Sequence, residues 1–236
     1  MANVEPQTIE EIMSSINTLV SNDDDPPEDG DEEWRTRLNL IWLAIRNWGT
    51  SKDVFFDELW KTYDSGATTL SGVDSYVLAD LLDYRFAGGY LRLTLNGETS
   101  RVKIIETHQA DKYVEAGEKA AYITGNQNDG VTLNLTWTPA AGDGTFGATF
   151  ALDYYKYPFK PELAADKVEM SDPNYIVYWV AGQKSLLESQ KNKFVTYDDM
   201  ATDCMDNMVI MNDLTPDQHG DLVENADALH GAVLGE

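Results

Sequence analysis

The chain has 236 residues, of which 42% are apolar and 11% aromatic, enough for a packed core and against disorder throughout. Its formal charge of −24 disfavours binding to a nucleic-acid backbone, and its one cysteine, Cys204, allows no intrachain disulfide and fits a reducing cytosol. No apolar run approaches the length of a membrane span, and MANVEPQTIEEIM has neither the basic nor the apolar region of a secretory signal.

The charge is unevenly spread. Residues 1–33 hold eleven acids and residues 198–236 hold ten, with no Lys or Arg in either stretch, so residues 34–197 carry only −3. A nearly neutral body therefore has two acidic ends, for which solubility is one sufficient reading.

Thr8-Ile-Glu-Glu11 has the capping-box pattern, and Ile9, Ile12, Met13, Ile16, Leu19 and Val20 follow at helical spacing. SNDDDPPEDG then breaks regular structure at Pro26, Pro27 and Gly30. A second helix is expected from about Asp31, with Trp34, Leu38, Ile41, Ile45 and Trp48 on one face and Gly49 at its end. A third, shorter helix is expected from about Lys52 to Tyr63.

From about Val73 the period becomes two. Tyr90–Leu95 alternates, Asn96-Gly97 turns, and Thr99–Ile105 returns, a strong hairpin signal. Ala121–Thr124, Val131–Trp137 and Thr145–Tyr155 add three strands. Val131, Leu133, Leu135 and Trp137 share one face, and Phe146, Ala148, Phe150, Leu152 and Tyr154 repeat the pattern. This predicts an antiparallel module with one wet face.

Helical spacing resumes after Asp172-Pro173, a cap and first-turn pair, with a stripe of Ile176, Val177, Val180, Ala181, Lys184 and Leu187. A last helix follows Lys191-Asn192, carrying Phe194, Tyr197, Ala201, Cys204, Met208 and Met211. Residues from Leu214 on are small, acidic and weakly apolar. The expected fold is thus α+β: a helical bundle formed by both chain ends with an inserted antiparallel β-sandwich or barrel. Its parts are residues 1–72, the β module 73–158, the closing helices 159–213 and an extended acidic tail 214–236.

Chemistry-bearing motifs are few. There is no phosphate loop, and His108, His219 and His230 stand at no zinc spacing. With Gly30 at the sixth position of a calcium loop, Pro27 and Thr36 fall where oxygen ligands are required, so NDDDPPEDGDEE is not an EF-hand. Cys204 reads as a structural thiol, and the formal acceptor at Asn134 sits within a strand. Met200, Met205, Met208 and Met211 read as core or an adaptable interface. No catalytic, metal or cofactor site emerges. Tyr154, Tyr155, Tyr157 and Pro158 read as a rigid structural junction leading out of the β module.

The ordered series RLNLIWLAIRNW, DELWKTY, TTLSGVDSYVLADLL, LTWTPAAGDGTFGATFALDYYKYPFKPEL and DPNYIVYWVAGQKSLLES resembles the head-to-tail adaptor proteins of tailed bacteriophages, also called connector, tail tubular or gatekeeper proteins. Ala79 stands where that family commonly has proline. The resemblance covers roughly residues 8–213 and implies a non-enzymatic virion protein of the neck or tail, assembled in the host cytoplasm. It further implies a ring of twelve copies docked beneath the portal protein, with a downstream tail or nozzle protein below. Genomic DNA would pass through the channel without specific binding, eased by lumen acids, and no membrane is involved. The tail is then the candidate portal contact, through Leu214, Val223, Leu229, Val233 and Leu234. Three other readings remain: a carbohydrate- or receptor-binding virion protein using the β module, a cell-wall hydrolase using a carboxylate pair, and an acidic nucleic-acid mimic.

Overall fold

A computed structural model describes residues 6–214 apart from positions 24, 52, 53, 80, 82 and 127–129, with backbone alone at 67, 86, 87, 213 and 214. The fold is mixed α+β. In chain order the elements are α1 (Ile9–Ser21), α2 (Glu32–Gly49), β1 (Trp60–Thr69), β2 (Ser75–Leu78), β3 (Tyr84–Leu95), β4 (Glu98–Ile104), α3 (Ala110–Ala116), β5 (Ala120–Asn126), β6 (Gly130–Leu135), β7 (Thr149–Lys156), α4 (Asn174–Leu187) and α5 (Lys191–Leu214). They fall into two compact units. Of the described residues, one comprises 6–59 and 158–214, and the other spans Trp60–Tyr157.

In the helical unit α1 begins as its sequence dictates. Thr8 Oγ1 accepts from Glu11 N at 3.2 Å, and Glu11 accepts from Thr8 N at 2.8 Å, closing the capping box. Its apolar stripe, Ile9, Ile12, Met13 and Ile16, is fully buried. After Pro158 the chain returns along the start of this helix: Ile9 N donates to Asp166 O, and Val168 N donates to Gln7 O. α4 packs against α1, α2 and α5. Arg37 on α2 is an exception to polar-out patterning. It is 3% exposed, and its Nη2 lies 2.7 Å from both Asn17 Oδ1 and Glu33 Oε1. Lys184 reaches the same Glu33 oxygen from α4 at 3.0 Å, so one carboxylate ties α2 to α4. At α4 the cap position is Pro173, one residue later than expected, while Asp172 Oδ1 accepts from Asn174 N at 3.1 Å.

The second unit is one curled seven-stranded sheet ordered β1-β7-β3-β4-β5-β6-β2. It is a single sheet rather than a sandwich, and it is mixed rather than antiparallel. β4 pairs with β5 in parallel, Lys103 opposite Ala120. A parallel neighbour needs a crossover, and residues 105–119 supply one, with a 3-10 turn at Thr107–Gln109 and the short helix α3. Leu91, Leu93, Val131, Leu133, Phe150 and Leu152 belong to one buried core cluster of the sheet.

Two strand ends move from where periodicity placed them. β6 stops at Leu135, and β7 starts at Thr149. Between them Asp143 accepts from Ala140 N, Thr145 N, Thr145 Oγ1 and Phe146 N, folding the intervening residues into a turn. Phe146 is therefore 45% exposed rather than in the core.

The largest difference lies at residues 52–63. In place of a helix there is one 3-10 turn, Asp57–Leu59, followed directly by β1, which precedes the change of period at Val73. Phe56 and Leu59 satisfy helical spacing because both are buried in that turn. Trp60–Asp64 is drawn into the sheet by pairing with Tyr155–Ala151, a tertiary preference that overrides local pattern.

Candidate functional site

The aromatic and proline residues singled out from the sequence occupy the end of β7 and the point where the chain re-enters the helical unit. Within the sheet unit Tyr154 is 5% exposed, and its hydroxyl donates to Asp83 Oδ1 at 2.8 Å. Lys61 Nζ holds the other Asp83 oxygen at 3.0 Å. Burial, and then the Asp83 carboxylate beside it, push the Tyr154 phenol well above its ordinary range, so it stays a neutral donor. Tyr155 is buried edge-on to Trp60, with ring centroids 4.9 Å apart. Tyr157 N donates to Asp83 O at 2.7 Å. Asp83 thus fastens the final turn of this strand through side chain and backbone together. This geometry fixes the strand end.

On the helical side Pro158 is buried against Gly49. A Cβ placed on Gly49 would lie 2.6 Å from Pro158 Cγ and 2.9 Å from two other ring carbons, so only glycine admits the proline there. Beyond this contact lies a small open cleft. Ile45, Trp48, Pro158, Phe159, Pro161 and Val168 form its apolar lining, with Lys167 and Glu169 beside them. Trp48 is 1% exposed and stacks on Phe56, and its indole Nε1–H has no acceptor. Phe159 is 50% exposed. Sequence reading took Trp48 as a core position and missed the cleft, because its walls come from two segments far apart in the chain. The one local signal was an aromatic between two prolines, Pro158-Phe159-Lys160-Pro161.

The other chemistry-bearing residues have the following surroundings. Cys204 is 9% exposed, and burial together with neighbouring Asp172 pushes its thiol up to about 12, away from a nucleophile's range. Burial, then Asp198, pushes Tyr175 up to about 12. Met208 is buried, whereas Met200 and Met211 are 37% and 46% exposed. His108 Nδ1 lies 3.1 Å from Glu106 on the surface. Asn134 is bound within the sheet to Thr124 Oγ1 at 2.8 Å. Among the described residues no group of three or more His, Cys, Asp or Glu side chains is placed to hold a metal ion, and no helix is long and apolar enough to cross a membrane.

Of the proposed portal-contact residues, Leu214 is the last residue of α5. Val223, Leu229, Val233 and Leu234, like His219 and His230, lie outside the described residues. In comparisons with known proteins, no family model matches the chain and no curated protein is similar to it.

Proposed function

We propose that the chain is a head-to-tail adaptor of a tailed bacteriophage: a virion structural protein that forms a ring beneath the portal and extends the DNA channel toward the tail. The observation that carries this reading is the chain path. One continuous segment, Trp60–Tyr157, is set into a unit drawn from both flanking stretches of chain. It enters on β1 and leaves on β7, which are antiparallel neighbours, so the insertion begins and ends side by side at Trp60 and Tyr155. This is the helices–sheet–helices order of the adaptor resemblance. In the proposal α1, α2, α4 and α5 make a bundle from both chain ends that packs side by side in the ring. Residues 214–236 reach the portal or a neighbouring subunit. The protein acts by shape and charge and performs no catalysis.

The receptor-binding alternative needs aromatics offered to a sugar. Tyr154 is buried, and Trp137 packs against the sheet core with Nε1 donating to Thr145 Oγ1 at 3.1 Å, which gives that reading no support. The deciding experiment is native mass measurement of the full chain, alone and mixed with the portal protein of the same genome. A closed ring on the portal is expected. A chain that stays monomeric and ignores the portal overturns the reading.

A further inference from the structure

Two helices of the helical unit leave an outer face open, and the two faces are opposite in charge. On α2, Arg35, Asn39, Leu43 and Arg46 are exposed and Trp42 is half-buried. Spaced three or four apart, they share one side of the helix. From Trp34 to Thr50 the chain carries three arginines and no acid. Arg37 points inward to Asn17, whereas Arg35 and Arg46 form no ion pair with any described residue, Glu32 one turn before Arg35 included. On α5, Phe194–Asp213 carries five aspartates and no Lys or Arg. Asp203, Asp206, Ile210 and Met211 are exposed there, away from buried Ala201, Cys204 and Met208. α4 packs against both helices, and both faces are exposed in the single copy, so they do not meet within it.

The two helices run the same way. Near their starts, Arg37 of α2 reaches Asn17 and Tyr197 of α5 donates to Leu19 O at 3.2 Å, both in the last turns of α1. At the other end Asn212 of α5 donates to Phe55 O and accepts from Asp57 N, each at 3.0 Å, beside Phe56, which stacks on Trp48 near the end of α2. Neighbours in a ring of twelve differ by a rotation of about 30°, so no helix changes direction by more than that between them. α2 of one copy then meets α5 of the next close to parallel. Arg35 stands seven and eight residues before Trp42 and Leu43, and Asp203 stands seven and eight before Ile210 and Met211.

We propose that the outer face of α2 docks on the outer face of α5 in a second copy of this chain, running parallel, with Arg35 against Asp203, Trp42 against Ile210 and Leu43 against Met211. The contact is head-to-tail, because each copy offers one face of each kind. Exposed ion pairs add little affinity, so the apolar residues hold the contact and the charges select partner and register. The inference deepens the ring reading by naming a contact between copies, and it rests on that reading for the direction in which the helices meet.

The test uses the full-length protein, alone at high concentration and on the portal. With Leu43→Cys and Met211→Cys in one chain, on a Cys204→Ala background, a short thiol-reactive bridge should link copies into a ladder, and either cysteine alone should give none. Arg35→Asp and Asp203→Arg, both at exposed positions, should each weaken self-association about tenfold or more, since like charges then face each other. An equimolar mixture of the two variants should restore it, because alternating copies again oppose unlike charges. Ile210→Asp should weaken it without rescue by either. No ladder in either setting overturns the inference, as does a mixture no stronger than its parts. A ring on the portal that forms unchanged with all three variants overturns this contact alone. A ladder in a chain that ignores the portal keeps the contact and removes the adaptor reading.

Discussion

Gly49 shows how one missing methyl group fixes a chain path. It closes α2 at the place where Pro158 arrives, and its Cα–H face is the seat of the proline ring. Replacing a helical glycine by alanine favours the helix by about 1 kcal/mol. Forcing a carbon to within 2.6 Å of a buried, rigid ring opposes this with overpacking that typically costs about 1–3 kcal/mol. The second effect wins because Pro158 has no rotamer to escape into. Gly49→Ala should therefore destabilise the protein, and urea unfolding checks it; a stabilised variant would mean the returning segment gives way easily. Asp143 is a second such residue. Its partial removal from water opposes ionisation, but the bonds from Thr145, Ala140 and Phe146 outweigh it and hold the carboxyl well below the usual range. A carboxylate with a depressed folded value contributes stability that is complete above about pH 4 and fades as the pH falls toward that folded value. Asp143→Asn should cost about 2 kcal/mol at pH 7 by stranding donors in the turn. The gap from the unsubstituted protein should narrow below about pH 4, as melting curves across pH would show.

At the scale of elements, α1 is the most self-explanatory part of the chain. Its cap, first-turn acids and apolar spacing agree with one another and with the observed span. Thr8→Ala removes the hydroxyl acceptor and should cost about 1 kcal/mol. The loss should appear first as faster amide exchange at Glu10 and Glu11, while exchange in the sheet stays unchanged. β1 was hidden for the opposite reason. Its first residues, Trp60–Tyr63, follow Phe55, Phe56 and Leu59 at spacings a helix would also use, and only Tyr155–Leu152, far along the chain, decides the matter. The parallel β4–β5 pair was likewise illegible, because a two-residue contact between Lys103–Ile104 and Ala120–Ala121 leaves no periodic trace. Strand and helix periods report one element's burial. They are silent on which neighbour does the burying, and so they are also silent on the cleft, whose walls at Trp48 and Pro158 meet only after folding. The Asp83 fastening of Tyr154 was not legible in the sequence, because Asp83 lies 71 residues earlier, just before β3.

At the scale of the whole molecule the charge imposes a condition on assembly. Each copy carries −24, most of it in residues 1–33 and 198–236. In the proposed ring the like charge of the copies is repulsive over a Debye length, about 30 Å at 0.01 M salt and about 10 Å at 0.1 M. Association of the proposed ring should therefore strengthen as salt rises from about 0.01 M to 0.15 M, the reverse of an interface held by complementary charge. Sedimentation velocity at fixed protein concentration across that range measures it. Sedimentation that shifts to smaller species with added salt would place the driving force in ion pairs and overturn this account of the acidic ends. If the acids are there to keep DNA from adhering to the channel, neutralising those that face it should slow genome passage while leaving assembly stronger, because the same charges oppose both. Ejection kinetics and ring mass measured on one set of variants separate the two effects, and a variant that assembles better yet ejects at the unaltered rate removes the channel role.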